Sequence, residues 1–184
     1  DLEARAVSFE DSSRIDLSQL LNGGPPKDGI PSIDNPQFDS ASTTPFGDDE
    51  LVIGVVINGE ARAYPFGILN WHEIVNDTVG DIPAIITFCP LCNSALVFDR
   101  RVDGDIFEFG TSGLLRNSDL VMYDRTTDSW WQQFSGEAIV GDFAGSKLKM
   151  LPSRLDSWAR FKAEHPDGQV LVPNNDQMRA YWRN

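Results

Sequence analysis

The sequence predicts an α+β fold of mainly antiparallel strands, arranged as a curled sheet or partly open barrel with two or three packed helices. Two observations lead to this prediction. From residue 51 onward, short strand-like runs follow one another closely and are separated by tight turns, which is typical of antiparallel pairing. Two stretches, 65–76 and 153–164, carry apolar residues at helical spacing, and they predict helices packed on the sheet.

Residues 1–50 are expected to precede a single α+β domain at 51–184 that carries the cysteine motif. Ser12 and Ser13 are candidate caps for a short N-terminal helix. Residues 23–50 are rich in Gly, Pro, Asp and Ser, so they predict irregular surface chain. A stretch of this length is either a linker or an arm wrapped over the domain.

The elements of the main domain follow from turn chemistry and periodicity. Asn58-Gly59 supplies the positive φ angles of a two-residue hairpin within residues 51–65. Pro65 suits the first turn of the helix that follows. The run "IPAIITF" predicts a buried strand that enters the cysteine motif. Later strands are predicted at "ALVFDR", "DIFEFG", "LVMYDR", "WWQQF", "AIVG", "KLKML" and "GQVLVP".

The charge balance limits the partners of the protein. A net charge of −13 argues against nucleic acid and anionic membranes. No apolar run approaches the ~20 residues that span a bilayer, so direct membrane insertion is not expected. The chain starts at Asp1 and not at Met, and we expect a trimmed product. A small molecule or a metal ion is the predicted ligand, and the sequence identifies no protein partner.

Both cysteines of the chain, Cys89 and Cys92, lie in the C-P-L-C motif. A thioredoxin-type redox pair sits at a helix N-terminus, whereas the residues after Cys92 predict a strand. The motif is similar to the cysteine turn of a zinc ribbon, and Asn93 tolerates the left-handed conformation that often ends such a turn. A zinc ribbon needs a second cysteine pair, which this chain lacks.

His72 is the candidate third ligand. It falls on the apolar stripe of the predicted helix, and that helix is expected to pack on the strand that ends at Cys89. A site with Cys89, Cys92 and His72 suits zinc or copper. Glu73 and Asp77 are candidates to orient His72 from behind.

Two alternatives to a metal site stay open. In one, Cys89 and Cys92 form a thiol–disulfide redox pair on a β-turn without metal. In the other, the cysteine turn is structural within a non-catalytic binding module. The sequence assigns no enzymatic activity: the "GTSG" stretch does not have the spacing of a nucleophile elbow. A polar loop and the strand after it could line a ligand cleft, with Arg116, Asn117, Tyr123 and Arg125 as its candidate residues.

Three long motifs carry a family resemblance: "GEARAYPFGILNWHEIVND", "TFCPLCNSALVFDR" and "FGTSGLLRNSDLVMYDRTTDSWWQQ". With "GEAIVG", they resemble an uncharacterised family known as domain of unknown function 3179, over roughly residues 25–173. The resemblance implies a location outside the cytoplasm, because the family is usually found in predicted exported or membrane-anchored proteins. It implies no activity, cofactor or catalytic residue. The family commonly has Gly where this chain has Asn93, and both residues suit the same turn.

Overall fold

The structure, a computed structural model, describes residues 12–174, which form fifteen strands, two α-helices and one 3-10 helix. The helices are the 3-10 helix Leu17–Gln19, α1 Phe66–His72 and α2 Trp158–Glu164. The strands are β1 Leu20–Asn22, β2 Gln37–Ser40, β3 Leu51–Ile57, β4 Glu60–Pro65, β5 Ile74–Val79, β6 Ile82–Cys89, β7 Ser94–Asp99, β8 Arg101–Val102, β9 Asp105–Ile106, β10 Phe109–Arg116, β11 Asp119–Asp124, β12 Trp130–Gln132, β13 Glu137–Val140, β14 Arg154–Ser157 and β15 Gln169–Val172.

These strands form two five-stranded sheets, a three-stranded sheet and a small ladder of β8 with β9. The first sheet has the order β14-β3-β4-β15-β2, and the third has the order β1-β10-β11-β12-β13. The central sheet, β5-β6-β7, belongs to a core on each of its faces. Every strand pair is antiparallel except β4 with β15.

The sequence of β6 is a nearly continuous apolar run, and the position of this strand explains why. Ile86 belongs to a core shared with Tyr64 of the first sheet. The alternate residues Ile85 and Cys89 belong to a second core with Trp131 of the third sheet. A strand buried on both faces needs apolar residues at both parities, so it loses the usual alternation. The first cysteine therefore lies within a hydrophobic core.

The prediction of mainly antiparallel strands with packed helices is confirmed. The curled sheet or partly open barrel is not confirmed, because the strands of residues 12–174 divide into several sheets and close no barrel. Neither α-helix of the described chain has the length and apolar character needed to cross a membrane.

The predicted helix at 65–76 is too long. Helix α1 ends at His72, since Glu73 adopts a φ of 56°. Ile74 and Val75 then pair with β6 as part of β5, and both are fully buried there. Their β-branched side chains suit a strand better than a helix. The apolar spacing that predicted one helix therefore belongs to two elements.

The second predicted helix, 153–164, begins too early. Residues 154–157 form β14, which pairs with β3. Helix α2 starts at Trp158, and the side chain of Ser157 accepts the amide proton of Arg160 at 3.4 Å. Ser157 is therefore the cap, because a serine at this position satisfies an amide of the first turn.

Residues 23–50 wrap over the domain as an arm. Strand β2 pairs with β15, and Ile33 forms a bridge with Val75 of the central sheet. Ile33 and Ala41 are buried, so the arm contributes to the core as well as covering it. Before the arm, the predicted N-terminal helix is reduced to the 3-10 helix, and β1 extends the edge of the third sheet beside β10. Residues 1–11 lie outside the described chain.

Candidate metal centre

The two cysteines flank the turn that joins β6 to β7. Cys89 is the last residue of β6 and pairs with Ser94, the first residue of β7. Asn93 adopts the left-handed conformation that the sequence predicts, with a φ of 51°. Both cysteines are free thiols; Cys89 is only 2% exposed and Cys92 is half-buried. The turn therefore presents two sulfurs to the side of the third sheet.

A carboxylate from the third sheet joins the two sulfurs. Asp119 begins β11, directly after a hairpin turn in which Asn117 and Ser118 both have positive φ angles, 54° and 63°. Such angles at both central residues define the tight hairpin turn that matches the twist of its strands. One carboxylate oxygen of Asp119 and the sulfurs of Cys89 and Cys92 all lie within 4.8 Å of one another. Among residues 12–174, this is the group of His, Cys, Asp and Glu side chains that could hold a metal ion.

The Asp119 carboxylate is buried and has fixed neighbours. Its Oδ1 lies 3.3 Å from the sulfur of Cys92. Its Oδ2 accepts hydrogen bonds from the side-chain amide of Gln132 at 2.9 Å and from the backbone amide of Phe134 at 3.0 Å. Asp119 is 4% exposed, and no cationic side chain in the described chain forms an ion pair with it. A buried carboxylate without a cation is costly, so the site favours a positive charge beside Oδ1.

A series of hydrogen bonds determines which way the Ser94 hydroxyl beside the Cys92 sulfur points. Thr87 donates its hydroxyl proton to a backbone carbonyl of β7, so its oxygen accepts from Nε2 of Gln133 at 2.8 Å. The Gln133 amide oxygen then accepts from the hydroxyl of Ser94 at 2.6 Å, and the Ser94 oxygen lies 3.1 Å from the Cys92 sulfur. Because the Ser94 proton is already donated, Cys92 faces two acceptors, the Ser94 hydroxyl and Asp119. A cation bound to the Cys92 sulfur would therefore lie beside two oxygen atoms.

The Cys89 thiol is protonated at neutral pH when no cation is near. Burial, the largest effect, and the side-chain hydrogen bond to Cys92 raise its pKa to about 12. The backbone amides of Cys92 and Leu120 act in the opposite direction and lower that pKa. Backbone amides aimed at the first sulfur suit a thiolate once a metal cation offsets the cost of burial.

His72 does not join the cysteines. Its Nδ1 lies 2.8 Å from the carbonyl oxygen of Pro31 in the arm, and His72 is not part of the Cys89–Cys92 group. The predicted set of Cys89, Cys92 and His72 is therefore not formed in this structure. The physical reason is the early end of α1, because the left-handed turn at Glu73 separates His72 from the strand that pairs with β6.

Of the other predicted site residues, Arg116 and Asn117 lie in the hairpin that carries Asp119. Nη1 of Arg116 donates to the amide oxygen of Gln132 at 2.6 Å, and Asn117 supplies the first positive φ of the turn. Arg116 therefore reaches Asp119 through Gln132.

The remaining predicted residues lie in other places. Asp77 accepts hydrogen bonds from Arg62 and Tyr64, each at 2.6 Å. Tyr123 and Arg125 both bind Asp28 of the arm, where Arg125 donates at 2.9 Å. The Asp28 contacts fasten the arm to the third sheet, whereas the Asp77 contacts join β5 to β4, and neither set forms a single cleft with the cysteines. For Glu73, burial raises the pKa of the side chain to about 7.

Sequence reasoning missed Asp119, Gln132, Gln133 and Ser94. Two signals could have pointed to them. The dipeptide Asn117-Ser118 between two strand-like runs is a hairpin signal that places Asp119 at a strand start. Two adjacent glutamines at the end of an aromatic strand, Gln132 and Gln133, are both buried, which amides tolerate only with partners.

The family resemblance is confirmed by comparison with known proteins. A family model described as "Protein of unknown function (DUF3179)" matches residues 27–184. The match includes both cysteines and Asp119. No curated protein and no solved structure matches the chain.

Proposed function

The chain belongs to the DUF3179 family of proteins of unknown function, and from its own geometry we propose that it binds a metal ion through Cys89, Cys92 and Asp119. The observation that carries the proposal is the convergence of two sulfurs and an oxygen of a buried carboxylate within 4.8 Å, where the carboxylate has no cationic side chain as a partner among residues 12–174. Three protein ligands leave one position for water or a small molecule, the arrangement typical of catalytic zinc sites. The chemistry at that position is not part of the proposal.

The spacing of the ligand atoms fits a tetrahedral ion. With zinc–sulfur bonds of about 2.3 Å and zinc–oxygen bonds of about 2.0 Å, a sulfur and an oxygen ligand stand about 3.5 Å apart. The Cys92 sulfur and Asp119 Oδ1 are 3.3 Å apart. The Cys89 sulfur lies within 4.8 Å of the Cys92 sulfur and of an Asp119 carboxylate oxygen, so the three groups are near enough to share one ion.

The donor set favours zinc over copper. Two thiolates suit both Zn²⁺ and Cu⁺, but a carboxylate is a hard donor that Cu⁺ does not prefer. Asp119 in place of the expected His72 therefore moves the proposal from copper or zinc toward zinc. Two thiolates and one carboxylate also carry three negative charges, which a divalent ion offsets better than a monovalent one.

The redox alternative is less well supported. An exchange-active cysteine pair needs a thiolate of lowered pKa, often at a helix N-terminus. Here burial raises the pKa of Cys89, and the motif joins two strands. A purely structural turn explains the cysteine positions but gives no reason for a buried carboxylate beside them that forms no ion pair within residues 12–174.

The location and partners complete the proposal. The family resemblance implies a location outside the cytoplasm, and we adopt it for this protein. The proposed ligand is a metal ion with a small molecule as its further partner, and the charge of −13 argues against nucleic acid.

Elemental analysis tests the metal proposal. Protein purified without chelator is expected to hold about one zinc ion per chain, and Cys89→Ser, Cys92→Ser and Asp119→Asn are expected to lose it. The matched control for Asp119→Asn is Asp105→Asn, an exposed aspartate on β9, which should keep the metal. His72→Ala should also keep it.

The outcomes separate the alternatives. Absence of stoichiometric metal, with no uptake of zinc or copper by the reduced protein, overturns the proposal. If His72→Ala loses the metal and Asp119→Asn retains it, the ligands are Cys89, Cys92 and His72, as the sequence predicted. Stoichiometric copper in place of zinc overturns the choice of ion but not the site.

A further inference from the structure

We infer that Gln132 is the positioning residue of this metal centre: it holds the Asp119 carboxylate by Oδ2 so that Oδ1 stays directed at Cys92. This inference rests on the proposed metal-binding function. It adds a residue outside the ligand set that decides how well the carboxylate binds the ion.

Both ends of the Gln132 amide have partners that allow only one orientation. Nε2 donates to Oδ2 of Asp119 at 2.9 Å and to the backbone carbonyl of Arg116 at 3.2 Å. Oε1 accepts from Nη1 of Arg116 at 2.6 Å. With the amide turned over, an oxygen would face the carboxylate and an NH₂ group would face the guanidinium, so both contacts would become repulsive. Gln132 is 6% exposed, which leaves its side chain little freedom to swing away.

Gln132 also keeps Arg116 away from the carboxylate. Arginine pairs readily with a carboxylate through two parallel hydrogen bonds, and such a pair would occupy the oxygen that a metal needs. Here Nη1 of Arg116 is held by Gln132, and its Nε donates to Oε1 of Gln19 at 2.9 Å. The cation therefore polarises the amide that binds Asp119 but does not neutralise Asp119 itself. Three hydrogen bonds thus link four side chains in the order Gln19, Arg116, Gln132 and Asp119.

Gln19 lies outside the range that the family model matches, 27–184. It ends the 3-10 helix directly before β1, which pairs with β10 and so lies beside the hairpin that carries Asp119. A residue that precedes the matched range thus forms the hydrogen bond farthest from Asp119 in this series.

The test uses Gln132→Met, which keeps the length of the side chain without its amide. Its affinity for Zn²⁺, measured by competition with a chromophoric chelator, is expected to fall 10- to 100-fold, the usual cost of losing a group that orients a metal ligand. Gln132→Glu should lose at least as much, because its carboxylate faces Asp119. Gln169→Met, on an exposed position of β15, is the matched control and should bind as wild type does.

The absorption spectrum of the Co²⁺-loaded protein distinguishes a positioning role from a purely structural one, because a purely structural role of Gln132 would leave the spectrum unchanged. In Co²⁺-loaded Gln132→Met the sulfur-to-cobalt charge-transfer bands should persist, since both cysteines remain, while the d–d bands should change as the oxygen ligand is displaced. If Gln132→Met fails to fold, Arg116→Met tests the same series of hydrogen bonds by removing the partner of the Gln132 amide oxygen. We expect its affinity for Zn²⁺ to fall about tenfold.

Wild-type zinc affinity together with an unchanged cobalt spectrum, in Gln132→Met or in Arg116→Met, would overturn the inference while the metal site itself stands. A wild-type protein that binds neither Zn²⁺ nor Co²⁺ would overturn the proposed function, and the role of Gln132 with it.

Discussion

The sulfur of Cys92 lies 3.3 Å from Oδ1 of Asp119, although 27 residues separate them in the chain. The contact joins two different sheets, because Cys92 belongs to the turn of the central sheet and Asp119 to the hairpin of the third. An ion bound here would be a crosslink between the two sheets. Metal binding and folding stability should therefore be coupled.

Removal of metal is predicted to destabilise the protein. An ion at 100 times its dissociation constant stabilises the native state by about 2.7 kcal/mol, if it does not bind the unfolded chain. For a chain of this size that corresponds to a fall in Tm of about 5–10 °C on addition of chelator. Thermal unfolding with and without chelator measures it. In Asp119→Asn the two curves should coincide, and an equal chelator effect in that variant would contradict the prediction.

Acid is predicted to release the metal. Because burial raises the pKa of the Cys89 thiol well above neutral pH, an ion that binds must displace the proton of this thiol. The zinc affinity should therefore rise at least about tenfold per pH unit, as at least one proton is released. Chelator competition between pH 6 and pH 8 measures the slope. An affinity that does not vary over this range would argue against thiolate ligands.

The two cysteines are predicted to differ in reactivity when no metal is bound. Cys89 is 2% exposed and burial raises its pKa to about 12, whereas Cys92 is half-buried. At pH 7.5 iodoacetamide should modify Cys92 at least about ten times faster than Cys89, since the thiolate is the reactive form. Peptide mass spectrometry of timed samples measures both rates. In denaturant the rates should become similar.

Zinc should protect both cysteines from modification, and this arm of the experiment links reactivity to the proposed site. Faster modification of Cys89 than of Cys92 in the folded, metal-free protein would contradict the burial that the structure assigns to the first sulfur. Modification that zinc leaves unchanged would place the ion elsewhere.

Local backbone rules predicted part of this site correctly. The left-handed Asn93 followed from the limited set of residues that accept positive φ, and the Asn58-Gly59 hairpin followed from the same rule. Both features depend on neighbours in the chain. They could be predicted because no distant contact is needed to decide them.

Long-range contacts explain what the sequence did not reveal. The apolar spacing around His72 suits a helix as well as a helix followed by a strand, and only the pairing of Ile74 with Thr87 decides between them. Asp119 could not be linked to Cys92 from spacing, since the link depends on how the third sheet packs on the central one. A single sequence carries no direct signal for such packing.

Glu73, two residues beyond the exposed Trp71, is predicted to make stability depend on pH. Burial raises its pKa from 4.5 to about 7, so the folded protein holds this proton more tightly than the unfolded chain does. The stabilising contribution of the protonated group is therefore complete below about pH 4.5 and is lost as pH rises through about 7. The glutamine of Glu73→Gln cannot ionise, so this variant does not lose that stability as the pH rises.

The free energy of unfolding of Glu73→Gln should accordingly approach that of wild type at pH 4.5 and exceed it by about 1–2 kcal/mol at pH 8.5, a value reduced for the partial exposure of the side chain. Urea denaturation in the presence of chelator measures the difference without a contribution from metal. The matched control is Glu108→Gln, which makes the same change at an exposed glutamate. Parallel curves for Glu73→Gln and wild type from pH 4.5 to pH 8.5 would show that Glu73 ionises in the folded protein as it does in the unfolded chain.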